Sequence, residues 1–344
     1  MEDALPPVEK PDPVLIAAGD IARCNKDQDE QTAQLVEAIP GTVVTLGDHA
    51  YPNGTIDQFK DCYDPSWGRF KDRTYPVPGN HDYHTAGATA YYTYFGSRAS
   101  PQEKNCTKDC KGYYSYDLGA WHIIALNSEI PHNAHSDQVR WLLDDLATHP
   151  SRCTLAYWHK PRFGSGNHGD NAWLQPFWQA LYDHGADVVL NGHNHTYERF
   201  APQTPDGEVD PERGIREFIV GTGGGGLTSF PRIEAASEVH EDTSWGVLKL
   251  TLHPTSYDWE FIPTAGGDFH DAGSADCVAA SLPQASTQGT SLPFPAEPPL
   301  FTPLYRFYLP IFLNTPSAGY ESPLQAGMPW FELSTHKNRS LTTE

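Results

Sequence analysis

Five short segments concentrate the side chains that hold metal ions: Gly19-Asp20, Gly47-Asp48-His49-Ala50-Tyr51, Gly79-Asn80-His81-Asp82, Trp158-His159 and Gly192-His193-Asn194-His195. Together they offer carboxylate, imidazole, amide and phenol groups. That mixture of donors suits a pair of borderline-hard cations such as iron, zinc or manganese. Two such ions ~3.5–4 Å apart share a bridging carboxylate and clamp a phosphoryl group undergoing in-line displacement. Taken singly, the residues read as ordinary. Asp20 would cap a helix, Asp48 would sit in a turn, Tyr51 would be a half-buried aromatic and His159 a satisfied core histidine. Their weight comes from the set and its order.

Each segment follows a short apolar run. Residues 14–18, 42–46, 74–77, 154–158 and 187–190 predict strands that end at these candidates. Residues 28–39 predict a helix stopped by Pro40-Gly41. Ser136 is placed to cap a second helix reaching His149, with Val139, Leu142, Leu143 and Leu146 on one face. A third covers 172–184, with Gly185 at its C-terminal cap. Residues 113–118 and 121–126 read as consecutive strands joined at Gly119-Ala120, and 215–220, 245–252 and 257–262 complete the strand set. This alternation predicts an α/β sandwich. In open α/β sheets ligands gather beyond the carboxyl ends of strands, where all five segments fall.

The set resembles the calcineurin-like metallophosphoesterases, and within them the purple acid phosphatases. The wider superfamily opens with Asp-x-His. Here Asp20-Ile21-Ala22 lacks that His, and Tyr51 stands three residues after Asp48, the paired change seen in purple acid phosphatases. Gly192-His193-Asn194-His195 followed by Tyr197-Glu198-Arg199 resembles that family's last block. The resemblance implies a sandwich of two mixed β-sheets flanked by helices. It implies one metal held by Asp20, Asp48, Tyr51 and His195, and a second by Asp48, Asn80, His159 and His193, with Asp48 bridging. Fe3+ is expected at the Tyr51 site, with Fe2+, Zn2+ or Mn2+ at the other. The implied activity is hydrolysis of small phosphate monoesters by a metal-bound hydroxide, without a covalent phospho-enzyme. His81 is expected to hydrogen-bond the phosphate or protonate the leaving group. Asp82 is expected to orient His81. His168, in the loop after Phe163-Gly164-Ser165-Gly166, is a candidate to reach the substrate phosphate.

Other readings compete. The same metals serve a phosphodiesterase or nucleotide pyrophosphatase. A metal-containing surface or binding module with residual activity, or a redox iron protein, would need fewer of these residues. His49 is expected to point away from the metals. The run Gly223-Gly224-Gly225-Gly226 lacks the Lys of a P-loop and reads as close backbone approach or a simple loop. His84, His122, His132 and His135 have no companions in the sequence that single them out.

The chain has 344 residues, with 23 basic against 44 acidic side chains and a net charge of −21. That balance excludes binding nucleic acid through a basic face and argues against an anionic membrane surface. No apolar run reaches the ~18–20 residues of a membrane helix. The expected partner is a small phosphate ester. The six Cys show no Cys-x-x-Cys spacing and point to some disulfides, with Cys106 and Cys110 able to close a small ring. They favour a secreted or extracytoplasmic protein whose leader lies outside this sequence, with the cytoplasm as the alternative. Composition divides the chain into a tail (1–12), a catalytic domain (13–280) and a Pro-rich extension (281–344).

Overall fold

The computed structural model describes residues 11–278. The N-terminal tail up to residue 10 and the whole Pro-rich extension (281–344) lie outside the described residues. In chain order the strands are β1 (Val14–Ala18), β2 (Ala22–Arg23), β3 (Thr42–Leu46), β4 (Ala50–Tyr51), β5 (Thr74–Val77), β6 (Tyr114–Leu118), β7 (Trp121–Ala125) and β8 (Cys153–Tyr157). They continue with β9 (Val188–Asn191), β10 (Tyr197–Phe200), β11 (Arg216–Val220), β12 (Ser237–Glu241), β13 (Gly246–Leu252), β14 (Ser256–Pro263) and β15 (Asp271–Asp276). The α-helices are α1 (Gln28–Ala38), the single turn α2 (Ile56–Gln58), α3 (Thr89–Phe95), α4 (Asp137–Thr148) and α5 (Gln175–Asp183).

The strands form two large mixed sheets. The first runs β15-β14-β13-β1-β3-β5 and the second β12-β10-β11-β9-β8-β7-β6, while β2 and β4 make a small parallel pair. Within the first sheet β1, β3 and β5 are parallel; within the second, β7, β8, β9 and β11 are. Period-two alternation divides the second sheet's side chains between two cores. Ile123, Leu155 and Tyr157 enter the core shared with the first sheet. Ile124, Ala156 and Val189 pack on the other face, beneath Leu142 and Leu146 of α4 and Phe177 and Leu181 of α5. Each such side chain taken fully out of water contributes ~1.5–3 kcal/mol.

Ser136 caps α4 by accepting the Val139 N–H at 3.2 Å. The helix expected over 172–184 instead begins with a 3₁₀ turn, Ala172–Leu174, and becomes α-helical where Pro176 occupies its first turn. The sequence patterns do not reveal β2, β4, β10, β12, β15 or α3. β2 and β4 are too short for any period. β12 and β15 are sheet edges, built from polar, acidic and small residues that bury no continuous face. α3 carries Tyr91, Tyr92, Tyr94 and Phe95, types that do not favour helix, and three of these four are buried.

All six cysteines are paired: Cys24–Cys62, Cys106–Cys110 and Cys153–Cys277. The small Cys106–Cys110 ring is the one expected. Cys153–Cys277 joins the start of β8 in one sheet to the residue after β15 in the other, closing a loop across 124 positions.

Candidate metal centre

The parallel strands β1, β3 and β5 of the first sheet and β8 and β9 of the second direct their carboxyl ends to one place. Asp20, Asp48 and Asn80 follow the first three, and His159 and His193 follow the other two. The centre therefore straddles the seam between sheets. The turns that aim these residues are tight. Asp20, Asp48 and His193 have φ of 59°, 51° and 68°, in the left-handed region. Such conformations cost on the order of 1–3 kcal/mol each and persist only when the surroundings enforce them. Two glycines show the crowding. A Cβ on Gly79 would come within 2.2 Å of Asp48 Oδ1, and one on Gly192 within 2.7 Å of Asp20 Oδ2.

Four donor atoms meet on one side. Tyr51 Oη lies 2.7 Å from Asp20 Oδ1, 3.1 Å from Asp48 Oδ2 and 2.9 Å from His195 Nε2. His195 Nε2 is 3.2 Å from Asp20 Oδ1. On the other side, His159 Nε2 lies 3.4 Å from Asp48 Oδ2 and 3.1 Å from Asn80 Oδ1. Asp48, His159 and His193 each bring a ligand atom within 4.8 Å of the other two. Asp48 Oδ2 is common to both groups. Two histidines are aimed through their other nitrogen: His159 Nδ1 donates to the Leu46 carbonyl (2.7 Å) and His195 Nδ1 to the Gly226 carbonyl (2.5 Å). This leaves Nε2 of each facing the centre, the arrangement that orients metal-binding imidazoles.

The electrostatics demand positive charge. Asp20 and Asp48 are fully buried, and among the described residues no Lys or Arg pairs with either. Burial alone would raise both carboxyls. His195 beside Asp20 and His159 beside Asp48 reverse this and hold both below the usual carboxylate range. In turn, burial would lower His159, but Asp48 raises it to about 10. Without metal, protons on the imidazoles therefore supply the balancing charge. Burial, and then the neighbouring His159 and His168, push His193 down to about 2 and keep it neutral, as a ligand must be. Burial, Asp20 and Asp48 keep the Tyr51 phenol protonated until a cation replaces those protons. The donor set thus fits two cations: anionic oxygens, neutral imidazoles and an amide, with charge to be matched.

His81 sits at the mouth, its ring 4.5 Å from that of Tyr51 and its Nε2 3.9 Å from Asp48 Oδ2. Its Nδ1 contacts the Pro52 carbonyl at 2.6 Å. The expectation that Asp82 orients His81 is corrected by this geometry. The Asp82 carboxylate is buried and accepts from the backbone N–H groups of Asp48 (3.1 Å), His49 (3.3 Å) and Gly79 (2.9 Å), and contacts His49 Nδ1 at 2.9 Å. It holds the turn that presents Asp48. His49 points away from the centre, among Phe59, Tyr63, Tyr91 and Phe95. His168 lies beside the centre, its ring 4.3 Å from that of His193 and its N–H donating to Asn194 Oδ1 at 3.0 Å.

Sequence reasoning passed over two contributors, His84 and Arg23. His84, set aside for want of companions, has its ring 4.6 Å from His81 and its Nδ1 3.0 Å from the same Pro52 carbonyl. Arg23 lies 4.7 Å over the Tyr51 ring. The glycine run makes a close approach: Gly225 N–H donates to the Asp20 carbonyl at 2.6 Å, and a Cβ there would come within 2.7 Å of the Tyr51 ring. Close approach is one of the two readings the glycine run offered in the sequence; His84 and Arg23 left no such trace.

The profile of the calcineurin-like phosphoesterase family matches residues 2–197, and the chain belongs to that family. Among its relatives are purple acid phosphatases. Purple acid phosphatase 15 of Arabidopsis thaliana is 29% identical over 222 residues, covering 56% of this chain and 41% of the relative. Purple acid phosphatase 21 of the same plant is 30% identical over 149 residues, covering 41% of this chain and 34% of the relative. The chain thus spans well under half the length of these curated relatives. Among solved structures, the purple acid phosphatase PPD1 of yellow lupin superposes with a TM-score of 0.63 at 18% identity, covering 77% of this chain and 53% of that one. GAP50, described as the anchor in the inner membrane complex of Plasmodium, superposes with a TM-score of 0.60 at 14% identity, covering 78% and 90%. These likenesses show the fold.

Proposed function

We propose that this chain is a dinuclear-metal phosphatase that hydrolyses small phosphate monoesters. One observation carries the reading. Asp48 Oδ2 stands 3.1 Å from Tyr51 Oη and 3.4 Å from His159 Nε2, so a single carboxylate oxygen belongs to both donor groups. Asp20, Asp48, Tyr51 and His195 would hold one cation, and Asp48, Asn80, His159 and His193 the other. Two cations held there would supply Lewis acidity to activate water and would neutralise charge developing on phosphorus. The phenolate of Tyr51 favours Fe3+ in the first position, and the imidazoles favour Fe2+, Zn2+ or Mn2+ in the second.

The protein's own groups do the rest. Asp82 fixes the turn that presents Asp48. His81, at the partly open mouth, delivers a proton to the departing alkoxide. His168 stands on the His193 side, placed to hydrogen-bond a phosphate oxygen. With −21 on the whole chain, small esters are held by the metals rather than drawn in by the surface.

The test is metal analysis of the purified chain alongside matched monoester and diester assays, repeated for Tyr51→Phe. We expect two tightly held ions and faster monoester turnover. If iron fills the first position, visible absorption is lost in Tyr51→Phe. Turnover that ignores metal removal would overturn the reading. The anchor role described for GAP50 supplies the rival: a binding module on the same fold, which the assay would reveal as metal-bound protein without turnover. The complete, charge-demanding donor set favours the hydrolase.

A further inference from the structure

A second group of ligand-type side chains lies on the opposite edge of the second sheet. His122 is the second residue of β7 and pairs in register with Thr154 of β8. His159 is five residues further along that direction, so the two places are about 16 Å apart at ~3.3 Å per residue. Around His122 stand Asp145, in the last turn of α4, and His149, which ends it. His122, Asp145 and His149 each offer a ligand atom within 4.8 Å of the others. His122 Nε2 is 2.9 Å from Asp145 Oδ2, and His149 Nδ1 is 3.2 Å from Asp145 Oδ1.

The surroundings are ordered as they are in metal sites. The remaining nitrogen of His122, Nδ1, lies 3.0 Å from Asp117 Oδ1. A carboxylate on the far nitrogen holds the ring so that Nε2, which here donates to Asp145 Oδ2, would face an ion that displaced its proton. Asp145 is oriented in the same way, accepting from Ser115 Oγ at 2.8 Å. His122 and Asp145 are buried, whereas His149 is half exposed. Beside His149 opens a cavity of about 340 Å³, lined also by Asp117, Gly119, Thr148 and Ser151. Two buried donors, one half-exposed donor at the rim and access for water suit a three-ligand zinc site with an open fourth position.

We propose that His122, Asp145 and His149 form a third metal site, selective for Zn2+ or a similar imidazole-preferring divalent cation, separate from the centre at the seam. Asp117 and Ser115 are its positioning residues. Without metal the three ligands satisfy one another; with metal, Asp145 and both imidazoles turn their lone pairs to the ion. Binding ties the C-terminal end of α4 to β7.

The experiment is zinc stoichiometry of the full chain after dialysis against Zn2+ and then metal-free buffer. Wild type, His149→Ala, Asp117→Asn and His193→Ala are compared. His149 is at the helix end and half exposed, so its truncation spares the fold. We expect His149→Ala to hold one zinc per chain fewer than wild type, with phosphatase turnover unchanged. Asp117→Asn is expected to weaken that zinc ~10–100-fold. His193→Ala is expected to lose metal only from the seam, which separates failure of this site from failure of the phosphatase reading. Equal zinc content in wild type and His149→Ala would overturn the proposal.

Discussion

Two neighbouring residues, His81 and Asp82, make different contacts, and substitution would separate their roles. The His81 side chain contacts the Pro52 carbonyl beyond Tyr51, at 2.6 Å, and stands at the mouth. His81→Ala should leave metal content unchanged while kcat falls ~10²–10⁴-fold, the usual scale for a general acid. Asp82 is buried and receives three backbone N–H groups around Asp48. Asp82→Ala would leave those donors unpaired, at about 1–3 kcal/mol per group. It should lower metal occupancy and thermal stability together, and metal analysis beside a melting curve checks both. If Asp82→Ala altered only kcat, the orienting role expected from sequence would stand after all. Five of the seven residues at the seam are legible in sequence because each follows an apolar run, and Tyr51 and His195 are legible through the family resemblance. The work of Asp82 is not legible: its bonds to backbone 33 and 34 residues away leave no pattern in side-chain types.

At the scale of elements, Asp187 shows how one carboxyl joins three strands. It precedes β9, accepts from Thr154 N–H of β8 at 2.7 Å, and accepts from Val278 N–H just beyond β15 at 2.5 Å. Burial outweighs these bonds and raises its pKa to about 7. The sign follows from proton counts. Between pH ~4 and ~7 the folded chain holds this proton and the unfolded chain has lost it, so stability falls as pH rises across that window. The loss is at most about 4 kcal/mol and is complete above pH 7. The slope of melting temperature against pH over this range should flatten in Asp187→Asn; an unchanged slope would show that other groups cause it. The strands that build the seam are readable from sequence because their runs are buried on both faces. β10 is not, since Glu198 sits fully buried within it and breaks the apolar run. The edges β12 and β15 are not, because solvent asks little of their residues.

For the molecule as a whole, the net charge of −21 would be offset locally at the seam by the cations that its donors suit. Ionic strength should therefore change kcat/KM little for a small ester, since surface charge is screened beyond ~8–10 Å. A steep salt dependence would instead show that surface charge governs substrate approach. The pairing of the cysteines is a property of this scale too. Six cysteines allow ~15 complete pairings, and only the folded arrangement selects Cys153–Cys277, which joins the two sheets.

That the centre draws its ligands from both sheets has a mechanical meaning. Asp20, Asp48 and Asn80 belong to one half of the sandwich, and His159, His193 and His195 to the other. A cation held between them acts as a rivet at one end of the sandwich. Chelation should therefore let the halves slide or part there first. Amides at the carboxyl ends of β1, β3, β8 and β9 would exchange hydrogen sooner than those at the opposite edge. The same ions that do the chemistry would then set how far the two halves can breathe.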